Sequence, residues 1–149
     1  TWRTDMTKPI KQVSVLLENA PGALSGVSDL LGKAGINIGA ISLAESADKS
    51  TIRLITDNPD QTEQVLSSAG YNVWQRDVIA VESPDHPGGL NSVLKPLGAA
   101  GVNVHYLYPY LRKFRNNAIL IFRVSDTEKA IQTLKDNYIA IVDETIYSL

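Results

Sequence analysis

Pro21-Gly22-Ala23-Leu24, followed by Leu31-Gly32-Lys33-Ala34-Gly35-Ile36-Asn37-Ile38, is the stretch on which the fold turns. The same pattern returns as Pro87-Gly88-Gly89-Leu90 and Leu97-Gly98-Ala99-Ala100-Gly101-Val102-Asn103-Val104, each segment displaced by the same 66 positions. Two separate motifs sharing one offset identify a duplicated unit, and internal repetition outranks any local pattern in deciding architecture. A chain of 149 residues then holds two units of about 70 residues, small but viable as domains.

Outward from the repeat, the elements come in the same order twice. Lys11 to Glu18 alternates Val13, Val15 and Leu17 with Gln12 and Ser14, the period of a half-buried strand. Leu24, Val27, Leu31 and Ala34 fall at helical spacing, with Gly35 as the C-terminal stop. Ile36 to Ala44 and Thr51 to Thr56 read as strands about a polar turn at Ser46 to Lys49. Asn58-Pro59-Asp60 opens a second helix, and Tyr71 to Arg76 is a closing strand.

In the second half, Val78 to Ser83 is a strand, and Leu90, Val93, Leu97 and Ala100 line a helix. Val102 to Leu111 and Ala118 to Val124 flank a basic hairpin tip. Ser125 with Glu128 has capping-box spacing ahead of the last helix, and Tyr138 to Ile146 is the last strand. The order is βαββαβ in each half, which buries two helices on one face of a four-stranded antiparallel sheet. The expected fold class is α+β, two ferredoxin-like units: a tail over 1–10, a first domain over 11–76 and a second over 77–149. No long linker separates them, so a rigid pair is expected. Met6, the only methionine, is a candidate start that would make residues 1–5 an expression remnant, beside the alternative of an authentic longer N-terminus.

Composition narrows the chemistry. With no cysteine there is no disulfide, thiolate zinc site, iron–sulfur cluster or cysteine nucleophile. His86 and His105 are the only histidines, too few for a histidine-built metal centre. Fourteen basic against sixteen acidic residues argue against an electrostatic grip on nucleic acid or anionic lipid. No apolar run approaches the roughly 18–20 residues of a membrane span, and no signal-peptide core leads the chain. A cytoplasmic location is expected, with no cofactor, no metal and no catalytic residue.

The loops between the first strand and first helix of each half carry the sharpest local signal. Glu18-Asn19-Ala20-Pro21-Gly22-Ala23-Leu24 and Ser83-Pro84-Asp85-His86-Pro87-Gly88-Gly89-Leu90 each place proline and glycine at a helix start. The free N–H groups of the first turn there suit a carboxylate, and Asn19 or Asp85, two residues before the proline, suits the ammonium end of a small zwitterion. The alternative is that Asn19 and Asp85 are ordinary capping side chains. His86 and His105 read as structural or rim residues. Tyr106, Tyr108 and Tyr110 share one strand face, which suits sheet packing better than base stacking. Arg112, Lys113 and Arg115 with Phe114 form a basic hairpin tip, read as a solvated turn.

Two βαββαβ copies, each with Asn or Asp two before Pro-Gly-x-Leu and a Gly-Ile/Val-Asn-Ile/Val segment opening the second strand, resemble tandem ACT domains from Lys11 to about Leu149. That resemblance implies amino-acid sensing by a regulatory module. It also implies a site between paired units, with the strand–helix loop of one facing the Asn segment of the other. Carried over, Asn19, Ala20, Gly22, Ala23 and Leu24 face Asn103 and Val104. Asp85, His86, Gly88, Gly89 and Leu90 face Asn37 and Ile38. The first loop is similar to those of serine-sensing dehydrogenases and of regulatory subunits in branched-chain amino-acid synthesis. Some serine-binding members carry His four residues before the proline, where this chain has Leu17 and Ser83. A more apolar ligand is therefore admitted.

The expected partners are an amino acid, a second copy in a two-fold homodimer, and a metabolic enzyme under its control. A ligand-free oligomerisation module is the alternative. A nucleic-acid module of the same element order is disfavoured, because Thr51-Ile52-Arg53-Leu54-Ile55 and Ala118-Ile119-Leu120-Ile121-Phe122 stand where RNA-binding aromatics belong.

Overall fold

The computed structural model describes residues 8–148. Met6 and residues 1–5, read above as a start and a remnant, lie outside the described residues. The chain divides into two compact units, Lys11–Arg76 and Asp77–Tyr147.

The first unit runs β1 (Ile10–Glu18), α1 (Ala23–Lys33), β2 (Ile38–Ser46), β3 (Lys49–Thr56), α2 (Pro59–Ser68) and the start of β4 (Asn72–Ser83). Its strands lie in the order β2-β3-β1-β4. β3 is antiparallel to both neighbours, with Ile52 opposite Val15 of β1 and Leu43 of β2. The alternation read in β1 places Val13, Val15 and Leu17 in one core with Ile52 and Leu54 of β3, Val27 and Leu31 of α1, and Leu66 of α2. Each fully buried side chain of this kind contributes about 1.5–3 kcal/mol, so the repeated apolar positions suffice to seat both helices on one sheet face.

The second unit continues from β4 through α3 (Gly89–Ala99), β5 (Val104–Pro109), β6 (Ala118–Val124), α4 (Thr127–Asp136) and β7 (Ile141–Val142). The strand order is β5-β6-β4, with β7 pairing on β4. Val93 and Leu97 of α3 occupy the places of Val27 and Leu31, and they pack with Ile79, Val81, Phe122 and Leu134. Both units are ferredoxin-like α+β.

Three features depart from the sequence reading, and a fourth is a helix that forms as read in spite of an internal proline. The strands read as Tyr71 to Arg76 and Val78 to Ser83 are one twelve-residue strand, since Arg76-Asp77 contains nothing that breaks an extended chain. The last strand is only Ile141–Val142. Asp143 Oδ1 accepts the Thr145 N–H at 3.0 Å and the Asp143 carbonyl accepts the Ile146 N–H at 3.1 Å, turning the chain into a 3-10 segment over Glu144–Ser148. Gln12 and Ser14, read as the wet face of β1, are buried, and Gln12 Nε2 donates to Ser14 Oγ at 3.3 Å. Burying a polar group without a bond costs free energy, which that contact offsets. Finally, α3 contains Pro96, which cannot donate to the Ser92 carbonyl, yet the helix runs on because Val93 and Leu97 are anchored in the core.

Candidate functional site

Both strand–helix loops have the same backbone. Gly22 and Gly88 stand at the N-caps of α1 and α3 with φ of 85° and 82°, the left-handed region that glycine enters without a Cβ clash. The Ala23 N–H donates to the Ala20 carbonyl at 3.2 Å, and the Gly89 N–H to the His86 carbonyl at 2.9 Å. Leu24 and Leu90 point a large apolar side chain outward, 39% and 41% exposed.

Neither helix start carries a side-chain cap. The amides of Leu24 and Ser25 in α1, and of Leu90 and Asn91 in α3, meet no acceptor among the described residues. The other two helices are capped: Asn58 Oδ1 accepts the Gln61 N–H at 3.1 Å, and Asp126 Oδ1 the Lys129 N–H at 3.0 Å. The contrast matters because an uncapped N-terminus presents donors and the positive end of the helix dipole to an anion. It also sets aside the reading of Asn19 and Asp85 as caps.

Their side chains are engaged elsewhere. Asn19 Nδ2 donates to Glu45 Oε2 at 3.3 Å, leaving its carbonyl oxygen open. Asp85 is ion-paired with Lys113 of the basic hairpin. The Lys113 ammonium, first by hydrogen bond and then by charge, holds the Asp85 carboxyl below the usual carboxylate range. The Arg112-to-Arg115 tip, read as a plain solvated turn, therefore contributes a residue that meets the second loop. His86 Nδ1 donates to the Pro87 carbonyl at 2.9 Å, so His86 braces its own loop from an exposed position. The second loop is the tighter one. A Cβ on Gly89 would lie 1.9 Å from the Pro84 carbonyl oxygen, whereas the first loop has Ala23 at the same place.

Asn37 and Asn103 are each clasped by a residue that the sequence reading missed. The Asn37 N–H donates to Asp57 Oδ1 at 3.1 Å, and the Asp57 N–H returns a bond to the Asn37 carbonyl at 3.2 Å. The Asn103 N–H donates to Ser125 Oγ at 2.9 Å, and the Ser125 N–H to the Asn103 carbonyl at 2.9 Å. Ser125 is thus not the capping residue that its spacing to Glu128 suggested; Asp126 caps α4. The signal was available, since Asp57 and Ser125 each directly precede a helix-capping residue, Asn58 and Asp126. Both asparagine side chains are exposed, while Ile38 and Val104, which follow, are half-buried. His105 is exposed, and Tyr106 stacks on Tyr108 with ring centroids 6.3 Å apart. Among the described residues no cluster of three potential metal ligands forms, and no helix is long and apolar enough to cross a membrane.

The family model described as an ACT domain pair matches residues 6–148. The chain belongs to the ACT domain pair family. This ACT pair is similar to protein BT0572 of Bacteroides thetaiotaomicron, at 33% identity over 96% of this chain and 99% of that one, with a TM-score of 0.89. It shares its fold with the regulatory subunit of aspartate kinase from Thermus thermophilus in a ligand-free form, at 12% identity over 88% and 94% of the two chains and a TM-score of 0.64. The corresponding subunit from Thermus flavus gives 13% identity over the same shares and a TM-score of 0.58. No curated protein matches the ACT pair.

Proposed function

We propose that this ACT pair is a non-enzymatic regulatory protein that binds an amino acid and thereby alters a partner or its own assembly. The observation that carries the reading is the uncapped pair of helix starts, α1 and α3, beside two helices that are capped by their own side chains. A ligand carboxylate there meets the open amides of Leu24 and Ser25, or of Leu90 and Asn91. Its ammonium meets Asn19 or Asp85.

In this reading the ligand-binding residues are Asn19, Ala20, Gly22, Ala23, Leu24, Asn37 and Ile38 of the first unit and Asp85, His86, Gly88, Gly89, Leu90, Asn103 and Val104 of the second. Residues 11–76 and 77–149 are the two domains. Asp85 supplies a full charge where Asn19 supplies a dipole, and the Asp85 loop is the stronger site once the ligand ammonium displaces Lys113. Regulation follows from differential affinity: ligand favours one arrangement, and a partner that prefers or rejects it is switched. The partner is a metabolic enzyme or a second copy in a two-fold dimer, and the setting is the cytoplasm.

A thermal-shift screen of the natural amino acids at millimolar concentration tests the reading, because a ligand at 100 times its dissociation constant adds about 2.7 kcal/mol of stability. At least one amino acid should raise Tm. Silence from all of them would replace this reading with a ligand-free oligomerisation module.

A further inference from the structure

Beside its strand–helix loop, each unit holds a groove where the end of its first strand, the first turns of its first helix, its hairpin and the turn after its second helix converge. The first groove has a volume of about 420 Å³ and the second about 330 Å³. Small-molecule sites begin at about 300 Å³, so the second has room for one small molecule and no more.

The two grooves occupy equivalent places but differ in chemistry. In the first, the one cationic side chain, Lys49, is ion-paired with Glu18, Leu16 lines the wall, and Gly70 forms the rim. In the second, Asn117 stands at the position of Lys49, Arg115 enters from the hairpin turn two residues before it, Glu82 stands at the position of Leu16, and Tyr138 at that of Gly70. Among the described residues Arg115 has no carboxylate partner; it only covers the Phe114 ring, 4.9 Å from its centroid. Glu82 Oε1 accepts a bond from Asn117 Nδ2 at 3.1 Å, and among the described residues no cation pairs with it. One small groove therefore presents an unpaired guanidinium and an unpaired carboxylate that do not neutralise each other.

The backbone marks the same place. Arg115 and Tyr138 have φ of 55° and 59°, in the left-handed region that bulky side chains avoid, and Tyr138 is 97% exposed. Arg115 is held there by its hairpin turn, in which Phe114 and Asn117 exchange backbone bonds at 3.1 and 3.0 Å. Tyr138 follows the C-terminus of α4 where the first unit uses glycine. Strained conformations kept at one site are a pointer to function.

We propose that the groove of the second unit binds a small zwitterion, an α-amino acid with an uncharged side chain, its carboxylate on Arg115, its ammonium on Glu82 and its side chain against Tyr138. The guanidinium fork matches a carboxylate, and charge-assisted bonds at both ends select against molecules carrying only one of the charges. The proposal rests on the reading of the chain as an amino-acid binder and adds a groove that borders the second loop at Pro84 and is centred on Glu82, Arg115 and Tyr138.

Amide NMR spectra of the full chain, titrated with each uncharged natural L-amino acid at millimolar concentration, test it. At least one should shift Ser92, Arg115, Asn117 and Tyr138 in saturable fashion, while Leu17, Lys49 and Asn72 of the first groove stay still. Its N-acetyl derivative and its methyl ester should leave the second groove unmoved. Arg115→Ala and Glu82→Gln should each weaken the groove response about tenfold or more, with Arg115→Lys in between. Tyr138→Gly should weaken it while raising Tm, which separates lost binding from lost folding. Loop amides at Gly22 and Gly88 are read in the same spectra. Shifts there with a silent groove would overturn the groove site alone, whereas shifts at neither would overturn both readings. Groove shifts insensitive to Arg115→Ala and Glu82→Gln would also overturn it.

Discussion

The Asp57 carboxylate accepts the backbone N–H of Asn37 at 3.1 Å, while its own N–H donates to the Asn37 carbonyl at 3.2 Å. This two-way clasp fixes the segment that opens β2 to the residue ahead of α2, and Asn103 with Ser125 repeats it in the second unit. Hydrogen bonds of this kind are worth about 0.5–1.5 kcal/mol, and those to a charged group somewhat more. Asp57→Ala and Ser125→Ala should each lower unfolding stability by about 1 kcal/mol in urea titrations. Ser125→Asp should retain the clasp in the form the first unit uses.

The cap of α4 separates two readings of one sequence. Asp126→Ala should cost about 1 kcal/mol, the usual loss at an N-cap. Glu128→Ala should fall within about 0.5 kcal/mol of the parent, the usual range for a surface change, because Asp126 caps this helix and Ser125 holds Asn103. Equal losses in thermal unfolding would restore the Ser125–Glu128 capping box.

Gly89 should be far less replaceable than its counterpart. A Cβ at Gly89 falls 1.9 Å from the Pro84 carbonyl oxygen, an obstacle made of backbone. Gly89→Ala must open the loop and should cost about 1–3 kcal/mol, as overpacking does. Ala23→Gly, at the equivalent place in the first loop, should cost no more than about 1 kcal/mol. Chemical denaturation of the two variants gives the comparison.

Tyr138 and Gly70 follow equivalent helices with φ of 59° and 95°. The left-handed region costs an L side chain roughly 1–2 kcal/mol, and glycine loses roughly 0.5–1 kcal/mol of that gain to chain entropy. Tyr138→Gly should therefore stabilise the chain by about 0.5–1 kcal/mol, and Gly70→Ala should destabilise it by a similar amount. Thermal melts of both variants decide the sign.

Asp85 and Asp143 should titrate in the acid range, below the ordinary aspartate value of about 3.9. The first is lowered mainly by its bond to Lys113, the second by the N–H and then the hydroxyl of Thr145. Because both folded values are depressed, whatever they contribute to stability is fully present above about pH 3.9 and is lost as pH falls through the folded values. Carboxyl NMR titration should show Asp85 rising in Lys113→Ala while Asp143 stays in place.

Much of the fold was legible in the residues because a repeat is read twice. Val27, Leu31 and Ile36 return as Val93, Leu97 and Val102, all buried, so periodicity and offset together name the core of each helix. The strand–helix loops were legible for the same reason, since proline and glycine constrain the backbone locally. Chain ends of elements were less so: Tyr138 to Ile146 has strand composition, yet Asp143 turns it after Val142 by bonding Thr145 and Ile146.

By itself the sequence determined the duplication, the βαββαβ order, the glycine-started helices and the absence of cysteine chemistry, because each follows from local spacing or from composition. Only the tertiary structure decided the partners of the polar side chains. Ser125 turns to Asn103 instead of its own helix, Asp85 to Lys113, Asn19 to Glu45, and Arg115 and Glu82 line one groove without meeting. A hydroxyl or carboxylate has several acceptable donors within reach of its own segment. Which one it takes depends on what the folded chain brings beside it from tens of residues away.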